Sequence, residues 1–152
     1  MTDLGTLGGT YSEARAINAS GQIAGDSDHR AFLYSAGTMI DLGTLGGSWS
    51  EARGINASGQ VVGRSAGVGF SAHAFLYDEG SMKDLNDLID PLSDWKILNT
   101  WAINDAGDIA ANGCNTAGEY RALLLTPVPE PTTLVLLGLG GVGLALTRRH
   151  RT

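Results

Sequence analysis

Short runs of apolar and β-branched residues, each broken within a few positions by Gly, Asn or Ser, occupy most of residues 1–127. That spacing is the signature of short strands joined by tight turns. In the first such stretch, Ala14–Asn18 leads into the turn Ala19-Ser20-Gly21 and Gln22–Asp26 returns. Arg30–Tyr34 follows, and Thr38–Leu42 comes after the turn Ser35-Ala36-Gly37, so the pattern predicts four antiparallel strands. The Asn of the first turn bonds nearby backbone and tolerates left-handed conformations, and the Gly four residues after Ile17 supplies a positive φ.

The stretch is repeated. Asp3-Leu4-Gly5-Thr6-Leu7-Gly8-Gly9 recurs as Asp41-Leu42-Gly43-Thr44-Leu45-Gly46-Gly47, and Ile17-Asn18-Ala19-Ser20-Gly21-Gln22 recurs as Ile55-Asn56-Ala57-Ser58-Gly59-Gln60. A degenerate third copy reads Ile103-Asn104-Asp105-Ala106-Gly107-Asp108. A further landmark runs Ala31-Phe32-Leu33-Tyr34, Ala74-Phe75-Leu76-Tyr77 and Ala122-Leu123-Leu124-Leu125. Periods of about 40 residues mark stacked or radial units, none of which buries its apolar face alone. The expected fold is all-β: three four-stranded antiparallel units over about 3–43, 44–86 and 87–126, as propeller-like blades or an open meander array. Asp3-Leu4 is expected to supply a strand to the third unit. Phe32 and Phe75, on the central strands, are expected in the core.

Composition sharpens this picture. Of 152 residues 22 are Gly, which suits turns and disfavours a helical bundle. Residues 1–127 carry 7 basic and 15 acidic side chains, net −8, whereas 128–152 carry 3 basic and 1 acidic, net +2. The acidic part has no basic patch for phosphate, so nucleic acid is not an expected partner. Cys114 is the single cysteine and staples nothing within the chain.

The last 25 residues form a separate module: Val128-Pro129-Glu130-Pro131, the uncharged stretch 132–147, then Arg148-Arg149-His150-Arg151-Thr152. The apolar stretch predicts a helix of about 24 Å, short of the ~30 Å hydrocarbon core and suited to transient rather than permanent membrane insertion. Arg148, Arg149 and Arg151 would hold its end on the cytoplasmic side. The order of motif, apolar stretch and Arg cluster closely resembles the PEP-CTERM sorting signal of Gram-negative bacteria. The resemblance implies export, recognition of Pro129, Glu130 and Pro131 by an exosortase, passage through the inner membrane, and removal of the tail. Proteins with this signal are usually linked to exopolysaccharide or biofilm matrix. They normally begin with a secretory signal peptide; Met1-Thr2-Asp3-Leu4-Gly5 has neither a basic nor an apolar leader region, so none is visible in this chain. The repeat in turn resembles the HAF repeat of bacterial extracellular proteins. His73-Ala74-Phe75 matches the name literally, Arg30-Ala31-Phe32 and Arg121-Ala122-Leu123 approximately, and the Ile-Asn-x-x-Gly turn carries most of the likeness.

Candidate chemistry is sparse. His29, His73 and His150 are not paired at metal-ligand spacing and no Cys-x-x-Cys occurs, so neither a metal nor a cofactor is expected. Ser, His and acid residues are present, but no Gly-x-Ser-x-Gly elbow singles out a triad, and His73 reads as a strand-surface residue. Gly138-Leu139-Gly140-Gly141-Val142-Gly143 spells a dinucleotide fingerprint, yet nine residues follow and no βαβ unit can form. Glu13-Ala14-Arg15 recurs as Glu51-Ala52-Arg53, with Trp101 in place of the Arg in the third copy, and reads as a solvated pair. Tyr11 and Trp49 occupy equivalent positions beside Gly-Gly, where aromatic rings either pack or stack on sugars. The expectation is an exported, noncatalytic β-repeat protein that binds exopolysaccharide or a matrix protein. The alternative is a piece of a propeller-type hydrolase or lyase.

Overall fold

A computed structural model of the chain describes residues 1–69, 71–129 and 143–146. Three four-stranded antiparallel sheets follow one another, each a simple meander. The first contains β1 (Ser12–Ile17), β2 (Ile23–Ser27), β3 (Arg30–Ser35) and β4 (Thr38–Asp41); the second β5 (Gly46–Ile55), β6 (Val61–Gly67), β7 (Ala72–Asp78) and β8 (Ser81–Asp84). The third contains β9 (Trp95–Ile103), β10 (Ile109–Asn115) and β11 (Tyr120–Val128), with β12 (Gly143–Leu146) at its edge. None of the sheets closes into a barrel.

The turns form where the sequence places them. Asn18 and Asn56 each accept backbone hydrogen bonds on Oδ1 from residues two and four positions on, at 3.0–3.1 Å. Gly21 and Gly59 take φ of 78° and 80°, a region that costs a side-chain-bearing residue strain. The β3–β4 and β7–β8 hairpins turn on Ala36-Gly37 and Glu79-Gly80, both residues with positive φ, the geometry that matches strand twist.

Sheet two lies between the others. Val61 packs with Ala24, Leu33 and Ala52 on the side of sheet one, while the adjacent Val62 packs with Ile97, Ile109 and Leu125 on the side of sheet three. Successive residues of a strand point to opposite faces, so this sheet is apolar on both. Phe32 and Phe75 are fully buried, as expected, each directly opposite a glycine, Gly25 and Gly63. A Cβ on Gly63 would lie 1.9 Å from the Glu51 carbonyl oxygen and 2.8 Å from the Phe75 ring, so only glycine admits that packing. Polar bonds fix the stacking: Asn18 Nδ2 donates to the Asn56 carbonyl, Asn56 Nδ2 to the Asn104 carbonyl, and buried Thr100 Oγ1 to the Gly63 carbonyl at 2.7 Å.

Two expectations are corrected. Asp3-Leu4 forms no strand and does not complete sheet three. Asp3 instead caps its own loop by accepting from Gly5 N, as Asp41 does from Gly43 N, and Leu7 N donates to Ser27 Oγ of β2, tying the loop to sheet one. The C-terminal apolar helix over 132–147 is not seen: Gly143–Leu146 is a strand, paired antiparallel to Val128–Leu125. The rest of that stretch lies outside the described residues. An apolar run without lipid around it gains hydrogen bonds by adding to an open strand edge, here that of β11. Among the described residues no helix is long and apolar enough to cross a membrane.

Candidate functional site

The first strand of each sheet carries a bulge at the same place. Ala14 and Ala16 face Gly25 and Ala24, leaving Arg15 as the extra residue. Arg53 is extra in β5, between Ala52 opposite Gly63 and Gly54 opposite Val62. Trp101 is extra in β9, between Thr100 opposite Ala111 and Ala102 opposite Ala110. Bulges of this kind re-aim a side chain out of the ladder, and here they present Arg, Arg and Trp in corresponding positions of three consecutive units.

Polar partners surround each bulge. In unit one, Arg15 Nε donates to Asp26 Oδ1 at 2.7 Å and Nη2 to Glu13 Oε2 at 3.1 Å. In unit two, Arg64 grips Glu51 with both Nε and Nη2, at 2.9 and 3.3 Å, and Arg53 Nη2 joins the same carboxylate at 3.2 Å. The Arg53 guanidinium lies 4.3 Å from the centre of the Trp101 ring, a cation–π contact between units, and Trp101 Nε1 donates to Asn112 Oδ1. Arg53 Nε and Nη1 are buried without a hydrogen-bond partner. Arg15 is close enough to Glu51 for that charge to raise its affinity for its proton, although the bond to Asp26 is the main cause. The side chains therefore form a seam across the three units.

Aromatic rings flank the seam. Tyr11 is exposed and its hydroxyl donates to Glu13 Oε2 at 2.9 Å, which raises the phenol pKa. Trp49 is partly buried, with Arg64 5.2 Å from its ring centre. Trp101 is exposed. Tyr11 and Trp49 thus each sit next to a carboxylate–arginine group, in corresponding places of units one and two. Trp101 was visible in the sequence only as a break in the Glu-Ala-Arg repeat; the break is the signal that marks it. The arrangement sets aromatic rings beside charged hydrogen-bonding groups along one seam. Among the described residues no group of three or more His, Cys, Asp or Glu could hold a metal.

Pro129 is exposed, just beyond β11. Glu130, Pro131, Arg148, Arg149 and Arg151 lie outside the described residues. Comparison with known families finds a PEP-CTERM protein-sorting motif over residues 127–149. That signal implies export to the cell surface or extracellular space and processing by an exosortase. No curated protein and no solved structure matches the chain.

Proposed function

We propose that the chain is an exported matrix-binding protein of HAF-repeat type, delivered through its sorting signal and freed of its tail after transient membrane passage. The observation that carries this reading is the sorting motif at 127–149, because the export it implies is what a matrix-binding protein requires. The seam of Tyr11, Trp49, Trp101 and the bulge arginines supports it, since aromatic faces beside charged hydrogen-bonding groups suit sugar rings. At the seam the role is binding, not catalysis. The net charge of −8 over residues 1–127 disfavours strongly anionic polymers, so a neutral exopolysaccharide or a matrix protein is the partner of choice. Affinity electrophoresis of the mature protein through neutral and acidic exopolysaccharide tests this. Tyr11→Ala with Trp49→Ala should abolish retardation by the neutral polymer while leaving the circular-dichroism spectrum of the folded β-structure unchanged. Equal mobility of wild type and variant in every polymer would refute glycan binding, and loss of fold would mark both rings as packing residues.

A further inference from the structure

Toward the outer edge of sheet two, away from the bulged first strand, three side chains meet in an order the repeat does not require. Ser71 Oγ lies 2.6 Å from His73 Nε2, and His73 Nδ1 lies 2.5 Å from Asp84 Oδ2. Ser71 and His73 are two apart along extended chain, the spacing that brings side chains to one face. Asp84 arrives from β8, whose register sets it opposite Phe75. Its other oxygen accepts from the Asn86 backbone N–H at 2.8 Å and from Asn86 Nδ2 at 3.0 Å. Asn86 is itself clamped to Ile97 by bonds in both directions, at 2.7 and 3.0 Å. The acid is 15% exposed, the imidazole 24%, and Ser71 is at the surface.

We propose that Ser71, His73 and Asp84 form an acyl-transfer site that hydrolyses carboxylic esters. A carboxylate at Nδ1 keeps the imidazole proton on that nitrogen, which leaves Nε2 as the acceptor for the serine hydroxyl. The other units argue against a merely structural pair. In unit one the place of His73 is taken by Arg30, ion-paired to Asp41 at 3.0 Å, and that of Ser71 by Asp28. In unit three Arg121 pairs with Glu119, 3.0 Å away, the residue in the place of Ser71. Unit two alone exchanges a permanent cation for a base and an acid for a hydroxyl. Holding the strands together needs neither exchange; a nucleophile needs both.

In the reaction, Ser71 Oγ attacks the ester carbonyl carbon as its proton passes to His73 Nε2. The bond to the alcohol oxygen breaks and that oxygen takes the proton from His73. Water, losing a proton to the same nitrogen, then cleaves the acyl-serine, releasing the carboxylic acid, and the proton returns to Ser71. Asp84 and Asn86 are positioning residues. The surface position of Ser71 suits an ester carried on an extended polymer better than an enclosed small molecule.

A fluorophosphonate probe on the full chain tests the site, since serine attack at phosphorus expels fluoride and leaves a stable adduct that peptide mass spectrometry locates. Labelling should fall on Ser71, vanish in Ser71→Ala and slow by about 100-fold in His73→Gln, in the range expected for loss of a general base. Leu92→Ala, exposed and in neither site, should leave the rate unchanged, and because the labelling involves no polysaccharide, failure of the glycan-binding reading is distinguishable from failure of this one. Imidazole nitrogen NMR should place the His73 proton on Nδ1, leaving Nε2 as the acceptor that the serine requires, and Asp84→Asn should slow the labelling of Ser71. Labelling of Ser71 no faster than that of other surface serines in folded protein, or a wild-type proton on Nε2, would overturn the proposal.

Discussion

Glu51 receives guanidinium groups from two strands, and the hydrogen bond from Arg64 is the main reason its carboxyl titrates below the ordinary glutamate range; Arg53 adds to this and burial opposes it. A carboxyl whose folded pKa is depressed contributes stability above its unfolded pKa of about 4.3 and loses that contribution as pH falls through the folded value. The stability difference between wild type and Glu51→Gln, from urea titrations, should therefore be largest near neutral pH and shrink below about pH 4. A difference independent of pH would show that the carboxylate charge contributes nothing. Tyr11 works in the opposite direction. Its bond to the Glu13 carboxylate favours the protonated phenol, so its contribution is present below about pH 10 and lost as pH rises through the higher folded value. Phenolate absorbance should show one tyrosine titrating late, and Glu13→Gln should bring it earlier. The Glu-Ala-Arg pairs were legible in the sequence, but their dominant partners were not. Asp26 and Arg64 join them across the ladder, through a register shifted by bulges that residue spacing does not report. Residue spacing does not bring Ser71, His73 and Asp84 together either, because Asp84 comes from the neighbouring strand β8.

At the scale of elements, the hairpins were the most legible part of the chain, because Asn and Gly act locally and the repeat shows them in several copies. Asn56 also reveals what local reasoning leaves out. It is nearly fully buried, and its amide donates to Gln60 Oε1 and to the Asn104 carbonyl of the next unit, so the Asn-Ala-Ser sequence there is a turn and an inter-unit tie, not an accessible glycosylation acceptor. Asn56→Ala leaves buried donors and acceptors unpaired and should cost about 2 kcal/mol or more. Asn104→Ala, exposed, should cost less; chemical denaturation of the two variants ranks them. Gly59→Val should destabilise by more than about 1 kcal/mol, since a β-branched side chain clashes at positive φ. The C-terminal stretch shows the limit of composition. An uncharged apolar stretch predicts a helix where lipid surrounds it, whereas the segment 143–146 meets the open edge of β11 and pairs with it.

Across the whole molecule, stability resides in the contacts between neighbouring units, as in other stacked repeats. Equivalent isoleucines show this: Ile17 is 67% exposed, while Ile55 and Ile103, each held between units, are 9% and 8% exposed. Ile55→Ala should cost about 2–5 kcal/mol and Ile17→Ala far less, although each Ile opens the same Ile-Asn-Ala-Ser-Gly-Gln sequence. Equal costs would show that the units do not support one another. The sorting module adds a requirement of a different kind, because it must be cut from a folded β-repeat. Proline disfavours helix at the preceding residue and lacks a backbone donor, so Val128–Pro131 favours an extended form that a protease cleft can accept. Pro129 is exposed, immediately after the last strand of the repeat. Each Arg of the tail would cost about 2.5–3.5 kcal/mol at the bilayer centre, so on the proposed route the tail would resist translocation. In a host with an exosortase, and with a secretory leader supplied, the mature protein should lack the Arg tail by intact mass. Changing Pro129, Glu130 and Pro131 to Ala should leave the full-length chain in the inner membrane fraction. Secreted protein that retains Arg148, Arg149 and Arg151 would show that the motif does not direct cleavage.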